Sequence, residues 1–212
     1  MLNIKFEPEK DALERITSAI GGVAYKAPTI LKDASNATGK YAMNRIFREI
    51  EKRYDYDDQA IRIKKAIKRK SATYANPRTI IQASSTMNKL LNFHVSPRTV
   101  AITGARPDVY KAHVLKGNGD KPVIKGGFKG FVVRFQNGHE ELVARNSKNR
   151  YPVKTLFAPS ETHMARHGFK NSEEKLRKNW KRICKSLLAN LLKVEGKVDG
   201  SRTITRKIMC RT

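Results

Sequence analysis

The apolar residues in the first third of the chain recur at helical spacing. A first helix is predicted from about Pro8, with Leu13 and Ile16 on its apolar side, and it ends at a Gly-Gly pair. A second, longer helix is predicted from about Pro28 to Tyr54. Gly39 weakens the middle of this helix, so a break there is left open. The apolar face comprises Leu31, Ala34, Met43, Ile46, Phe47, Ile50 and Tyr54.

A third helix is predicted to follow, with Asp57 as its N-terminal cap. Ile63 and Ile67 lie four residues apart and are expected on one apolar face. Between Arg62 and Lys70, six of nine residues are basic. This density exceeds that of an ordinary solvated helix face, so the segment is a candidate contact for a polyanion.

The middle third changes from helical to extended spacing after Asn76-Pro77. The segment 84–98 fits either a short helix or a loop, and Gly117 to Asp120 has the composition of a turn. Asn137-Gly138 is the dipeptide that favours a tight hairpin. We therefore predict a small antiparallel sheet in this third, with strands at 78–84, 98–103, 130–136 and 140–145. Phe131, Val133 and Phe135 are expected to share the inward face of their strand.

A long final helix is predicted from about Ser172 to Leu192. Asn171 or Ser172 would cap it, and Glu173 and Glu174 favour its first turn. Leu176, Trp180, Ile183, Leu187 and Leu191 form its apolar stripe, and Lys175, Lys178, Lys181, Arg182 and Lys185 lie on the other side. The elements together predict an α+β fold with N-terminal helices, a small antiparallel β-sheet in the middle, and this long C-terminal helix. A single domain is expected over 1–195, followed by a basic C-terminal arm over 196–212 that becomes ordered on a partner.

The charge balance narrows the class of partner. The chain of 212 residues has 44 Lys+Arg against 19 Asp+Glu, a net charge of +25. Such an excess attracts nucleic acid, anionic membrane or acidic protein surfaces. No run of apolar residues is long enough to span a bilayer and no signal peptide is evident, so no membrane partner is expected. Cys184 falls within the apolar stripe, and neither cysteine belongs to a CxxC pair, which predicts a reducing compartment.

Candidate chemical groups are few. His163 and His167 lie at helical spacing, but no third ligand completes a zinc pattern. His139, Glu140 and Glu141 form one acidic and imidazole trio after the hairpin turn. No acid, base or nucleophile has the neighbours that catalysis requires. We therefore expect no catalytic residues, no metal site and no cofactor, and the chain is not expected to be an enzyme.

The string GHEELVARNSKNRYPVKTLFAPS, from Gly138 to Ser160, resembles the sequence near the C-terminal end of phage minor tail protein Z, a tail-completion protein family. In that family a Gly-His pair opens a strand that ends in Arg, and a basic loop, a Tyr/Leu-Pro-Ile/Val step and a Pro-Ser follow. The matching residues are Gly138-His139, Arg145, Lys148-Asn149-Arg150, Tyr151-Pro152-Val153 and Pro159-Ser160.

The upstream half is similar to the same family. Ala42-Met43-Asn44-Arg45 occupies the place of its Ala-x-Asn-Arg element, and Lys70 to Thr73, with Asn76-Pro77, resembles its link from basic helix to first strand. The resemblance covers roughly residues 25 to 195. Glu140-Glu141-Leu142 departs from the small-apolar-aromatic step of the family, and the basic tail after Lys193 has no counterpart.

The resemblance implies a structural virion protein at the head-proximal end of a siphophage tail, made in the host cytoplasm. It would form a six-fold ring, join the tail terminator protein, and help the tail attach to the head connector or neck proteins, with non-specific contact to genomic DNA in the channel. The alternative, supported by charge alone, is a sequence-independent nucleic-acid-binding protein. A nuclease is a third class, which no carboxylate cluster supports.

The residues predicted to contact a polyanion or an acidic partner come from the basic clusters and from the corner that Pro152 fixes. They are Arg62, Lys64, Lys65, Lys68, Arg69, Lys70, Lys148, Asn149, Arg150, Tyr151, Lys178, Lys181, Arg182, Lys185, Arg202, Arg206 and Lys207.

Overall fold

Two long helices and a series of short strands make up the structure, a computed structural model that describes residues 1–6, 27–57, 62–98, 100, 107–149 and 151–194. The helices are α1 (Ala27–Arg53), α2 (Ile63–Ala66) and α3 (Glu161–Val194), and a 3-10 turn spans Leu90–Asn92. The strands are β1 (Leu2–Phe6), β2 (Ile67–Lys70), β3 (Thr79–Ala83), β4 (Asn88–Lys89), β5 (His94–Ser96), β6 (Lys111–His113), β7 (Lys121–Pro122), β8 (Ile124–Lys125), β9 (Phe128–Lys129), β10 (Phe131–Arg134), β11 (Glu140–Arg145), β12 (Val153–Thr155) and β13 (Phe157–Ala158).

The α+β class is confirmed, with antiparallel sheets and a long C-terminal helix. Within the described residues, the strands form five small sheets, ordered β1-β3-β2, β10-β11-β12, β13-β4, β5-β6-β7 and β8-β9. The first strand was not predicted. It pairs antiparallel with β3, so that Ile4 lies opposite Ile81 and both are buried.

The chain divides into two compact units. The first takes its described residues from 1–46, 68–83 and 168–212, and the second from 47–67 and 84–167. The predicted first helix and the C-terminal arm lie outside the described residues, as do four of the six residues of the strand predicted at 98–103. The single domain over 1–195 and the arm stay predictions.

The second helix of the sequence prediction is α1, and it runs through Gly39 without a break. Gly39 is buried, and a Cβ placed there would lie 2.3 Å from Cγ2 of Thr79 on β3. The glycine therefore permits a close approach of helix to strand, and that packing outweighs its low helix propensity. Leu31, Ala34, Ile46 and Ile50 of the predicted face are buried, while Met43 and Phe47 are half-buried.

The third predicted helix is wrong after Ala66. Helix α2 ends at Ala66, and Arg62 rather than Asp57 occupies its N-cap position, without a side-chain capping bond. The chain continues as β2, where Ile67 is buried and Lys68 is exposed. Isoleucine favours strands, and pairing beside β3 satisfies the backbone, so these gains outweigh the helical spacing of Ile63 and Ile67.

The hairpin of the middle third is confirmed. Strand β10 pairs with β11, Arg134 lies opposite Glu140, and the turn contains Gly138 at a φ of 77°. The prediction of which face of β10 points inward is wrong. Val132 and Leu142 point into the core, whereas Phe131 and Val133 are half-buried and Phe135 is exposed. The segment 84–98, expected to be a helix or a loop, contains β4, the 3-10 turn and β5.

The core of the second unit gathers short strands around β11. Its buried residues are Leu91, Val95, Tyr110, Ala112, Val123, Val132, Leu142, Ala144 and Leu156. Three consecutive residues of β11, from Leu142 to Ala144, are buried, so both faces of this strand are covered. A strand covered on both faces reads as a continuous apolar run rather than an alternating one.

Helix α3 begins eleven residues before the predicted start. Ser160 accepts a hydrogen bond at its Oγ from the backbone N–H of His163, which is the geometry of an N-cap. Asn171 and Ser172, the two predicted caps, both lie inside the helix, and Ser172 is fully buried. A Cβ added at Gly168 would lie 3.0 Å from the backbone oxygen of Ile46, so the close packing of α3 on α1 favours a glycine there.

The apolar stripe of α3 is buried to different degrees. Leu176 is buried, Trp180, Ile183 and Leu187 are half-buried, and Lys175, Lys178, Lys181, Arg182 and Lys185 are exposed as predicted. Cys184 is half-buried, and its burial raises the pKa of the thiol to about 11. The thiol therefore stays protonated near neutral pH.

Candidate functional site

The first part of the basic segment belongs to the second unit. Ile63 is buried and anchors α2, while Arg62, Lys64 and Lys65 are exposed. A recess of about 330 Å³ lies beside these three cations, and it is lined by Phe47, Glu51, Tyr56, Arg62, Ile63, Lys64 and Lys65. Three positive charges against one carboxylate favour an anion at its mouth. Helix α2 has four residues, so the attraction comes from side-chain charge and not from a helix dipole.

The second part of the basic segment lies on β2 in the first unit. The side chains of Lys68 and Lys70 are exposed to solvent. Arg69 is half-buried, and its guanidinium approaches the backbone oxygen of Asn36 at 3.4 Å and the Oδ1 of the same residue at 3.5 Å. Lys68 and Lys70 are thus accessible to solvent, while Arg69 is engaged by helix α1.

Asn36 holds the chain that follows β2. Its Oδ1 accepts hydrogen bonds from the backbone N–H of Ala72 at 2.8 Å and from the Thr79 hydroxyl at 3.1 Å, and its Nδ2 donates to the Ala72 carbonyl. Ser35 donates to the carbonyl of Pro77 at 2.6 Å. Two adjacent polar residues of α1 thereby fix the position of β2 and the loop after it.

Tyr74, at the tip of this loop, is 62% exposed, and the Lys32 ammonium lies 4.0 Å from the centre of its ring. The hydrogen bond with Tyr74 raises the pKa of Lys32, so the lysine stays charged. The sequence prediction did not include either residue. Their signal, an aromatic residue after a basic run, becomes visible only when α1 brings Lys32 to the loop.

The corner after β11 presents the residues of the tail-protein resemblance. Lys148 and Asn149 are exposed, and Tyr151 is 67% exposed. The backbone N–H of Asn149 donates to Ser147 Oγ at 3.3 Å, which fixes the turn. Arg150 lies outside the described residues.

The basic face of α3 is solvated. Lys178 pairs with Glu174 at 2.6 Å, and both side chains are largely exposed. Lys181, Arg182 and Lys185 are exposed on the following turns. The predicted contacts Arg202, Arg206 and Lys207 lie outside the described residues.

The two carboxylates of the acidic trio, Glu140 and Glu141, form separate ion pairs. Arg134 pairs with Glu140 at 2.5 Å, and Glu141 pairs with Lys89 and accepts a 2.5 Å hydrogen bond from the Thr155 hydroxyl. The Lys89 ammonium, followed by the Thr155 hydroxyl, lowers the pKa of Glu141. Glu140 thus joins β11 to β10, whereas Glu141 joins β11 to β12 and to Lys89 on β4, a strand of another sheet. Within the described ranges, no three His, Cys, Asp or Glu side chains are grouped to hold a metal ion.

Five lysines between 111 and 129 were missed by the sequence analysis. Lys111, Lys116, Lys121, Lys125 and Lys129 are all exposed, with Asp120 as the one acidic residue of the stretch. They are four or five residues apart, so no dense run marks them in the sequence. Strand β6, with Lys111, pairs with β7, with Lys121, and β8, with Lys125, pairs with β9, with Lys129; Lys116 lies in a turn between strands.

The chain was compared with known proteins at the levels of family, sequence and structure. No family model, no curated protein and no solved structure matches it. Among the helices in the described part of the chain, none has the length and apolarity needed to cross a membrane.

Proposed function

We propose that the chain is a structural virion protein that completes the head-proximal end of a siphophage tail. The observation that carries the proposal is the ordered resemblance of Gly138 to Ser160 to the tail-completion family. The elements of the structure agree with the order of that motif. Strand β11 follows Gly138-His139 and ends at Arg145, the basic corner follows, β12 begins at Val153, and Ser160 caps α3.

In this role the chain forms a six-fold ring that joins the tail terminator and helps the tail attach to the head connector. The exposed cations of α2, β2 and α3 supply the attraction for acidic neighbouring subunits or for DNA in the channel. Phosphate contacts of this kind carry no sequence information. A net charge of +25 makes such attraction long-ranged, but salt screens it beyond about 8–10 Å.

Sequence-independent binding of nucleic acid is a second candidate function, and the exposed charge of Lys64, Lys65 and Lys68 favours it. The two functions differ in where the protein is found. A tail-completion protein is a fixed component of the particle, whereas a nucleic-acid-binding protein is recovered with DNA or RNA in the infected cell.

A nonsense mutation in the gene, introduced into the phage that encodes the chain, tests the proposal. We expect filled heads and complete-length tails that fail to join, seen by electron microscopy, with joining restored by the intact gene supplied on a plasmid. Normal particles from the mutant would contradict a role in tail completion. Intact heads and tails with defective genome replication or packaging would instead support the second function.

A further inference from the structure

The second unit contains a groove of about 550 Å³ that none of the predicted contacts uses. Leu90, Ala112, Val123 and Leu156 line it, and all four either belong to the core of this unit or pack against it. The groove therefore opens directly onto the apolar interior of the unit. Its shape is set by core packing and not by the conformation of a single loop.

Two large apolar side chains also line the groove while remaining open to solvent. Ile124 on β8 and Phe157 on β13 are each 54% exposed. A single exposed apolar residue is ordinary on a protein surface. Two of them, continuous with an apolar floor, form the kind of patch that marks an interaction site.

The charged side chains that line the groove are all positive. Lys121 and Lys125 line it, and the described lining contains no Asp or Glu. The stretch 111–129 carries five lysines and one aspartate, a net charge of 5 − 1 = +4. Lysine stems extend along apolar surface while their ammonium groups stay in water, so these residues complement carboxylates beside an apolar contact.

We infer that this groove is a docking site for a protein segment that inserts a large apolar side chain and carries Asp or Glu on either side of it. The net charge of each candidate occupant favours an acidic partner over a segment of this chain or a second copy of it. The chain's own segment 195–212 has five basic and two acidic residues, a net charge of 5 − 2 = +3, and is repelled. A second copy of the chain also carries +25, so it does not supply the acidic segment that the groove lysines favour, although copies can meet at other surfaces as in the proposed ring. This inference goes beyond the proposed function, because it rests on the second unit alone.

A selection from a random peptide library displayed on filamentous phage tests the inference with the full-length chain. The library is first depleted on the triple variant Lys121→Glu, Lys125→Glu, Phe157→Ser and then selected on the wild-type protein. The depletion removes peptides that respond only to the general positive charge of the molecule. We expect the surviving peptides to contain a large apolar residue with Asp or Glu nearby.

Single variants then assign the contacts by fluorescence anisotropy with the selected peptides. We expect Phe157→Ser and Lys125→Glu each to weaken binding by about tenfold, as hot-spot side chains do. The matched controls Phe135→Ser and Lys154→Glu change an exposed aromatic residue and an exposed lysine outside the groove, and they should retain affinity. Circular dichroism checks that each variant is folded.

Three outcomes would overturn the inference. In the first, no peptide survives depletion, or the survivors lack acidic residues. In the second, Phe157→Ser binds as tightly as the wild type, which leaves charge as the sole attraction. In the third, the full-length chain self-associates in sedimentation experiments and Phe157→Ser abolishes this, which makes a second copy the occupant.

Discussion

The segment 62–70 and the stretch 111–129 are both basic, but their surroundings differ. The first has six basic residues in nine, and the recess beside its α2 half contains three cations and a glutamate. The second spreads five lysines over nineteen residues, and two of them, Lys121 and Lys125, line an apolar groove. Charge density therefore does not by itself specify the partner. A dense charge on a polar surface suits a polyanion, and sparse charge around an apolar floor suits an acidic protein segment.

The largest expected effect concerns the core beneath the groove. Leu142 is 1% exposed and belongs to the apolar cluster of the second unit. Leu142→Ala should lower the free energy of unfolding by about 2–5 kcal/mol, because it removes transfer energy and leaves a cavity. Urea denaturation measures this loss, and peptide binding to the groove should weaken with it. Phe135→Ala, at the exposed end of the same hairpin, serves as the control, and an equal loss there would show that the core is assigned wrongly.

The basic strand depends instead on a polar anchor. Asn36→Ala removes the partner of the Ala72 backbone N–H, the Ala72 carbonyl and the Thr79 hydroxyl. We expect a loss of about 2–3 kcal/mol in the free energy of unfolding, since buried groups left without partners are costly. Asn44→Ala, an exposed change on the same helix, should stay within about 0.5 kcal/mol. Equal effects of the two substitutions would remove Asn36 from its anchoring role.

Charge reversal separates the two regions directly. The triple variant Lys64→Glu, Lys65→Glu, Lys68→Glu alters exposed side chains and should leave the fold intact. We expect non-specific DNA binding at low salt to fall by at least about tenfold, with a shallower dependence on salt concentration, because fewer counterions are released. Filter binding or anisotropy over a salt series measures both quantities.

The matched control reverses three exposed lysines of the other region, Lys111, Lys121 and Lys125. It makes the same change in net charge but leaves segment 62–70 unchanged. It should therefore weaken DNA binding less, while it abolishes peptide binding. If the two triple variants lose DNA affinity equally, net charge alone accounts for the binding and the comparison between the regions fails.

The smallest expected effect is a pH dependence at the groove. Thr155 lines the groove and also donates to Glu141, whose pKa is lowered from 4.5, chiefly by Lys89. A lowered pKa in the folded state stabilises the protein above the ordinary value, and this contribution is lost as the pH falls through the lowered pKa. Glu141→Gln should therefore cost about 1 kcal/mol near neutral pH and almost nothing in strong acid. An equal cost at every pH, measured by urea denaturation, would contradict this.

The elements that the sequence predicts well are those whose signals are local. Asn137-Gly138 between two extended segments specifies the hairpin, and the apolar spacing of α1 specifies that helix. The prediction for segment 62–70 is wrong because the spacing of Ile63 and Ile67 fits a helical face as well as a turn followed by a strand. Pairing of β2 with β3 favours the strand. The start of α3 was predicted eleven residues too late, because Asn171 or Ser172 followed by Glu173 and Glu174 also fits a helix N-terminus, although these residues lie inside the helix.

The groove could not have been predicted from the sequence. Its lining comes from strands β6, β7, β8, β12 and β13, from the 3-10 turn and from the loop between β6 and β7, which are brought together only by the folded core. The exposed basic residues were predictable, because a dense run of like charge rarely lies in a core. What the sequence leaves undetermined is which lysines border apolar surface, and that distinction separates the two kinds of partner.

A reconstruction of the neck of purified virions tests the proposed role most directly. If the chain completes the tail, we expect a ring of it at the head-proximal end of the tail, in contact with the terminator. Exposed cations such as Lys64 and Lys68 should face acidic subunits or the DNA channel. Absence of the chain from the purified particle, confirmed by mass spectrometry of its proteins, would contradict the account.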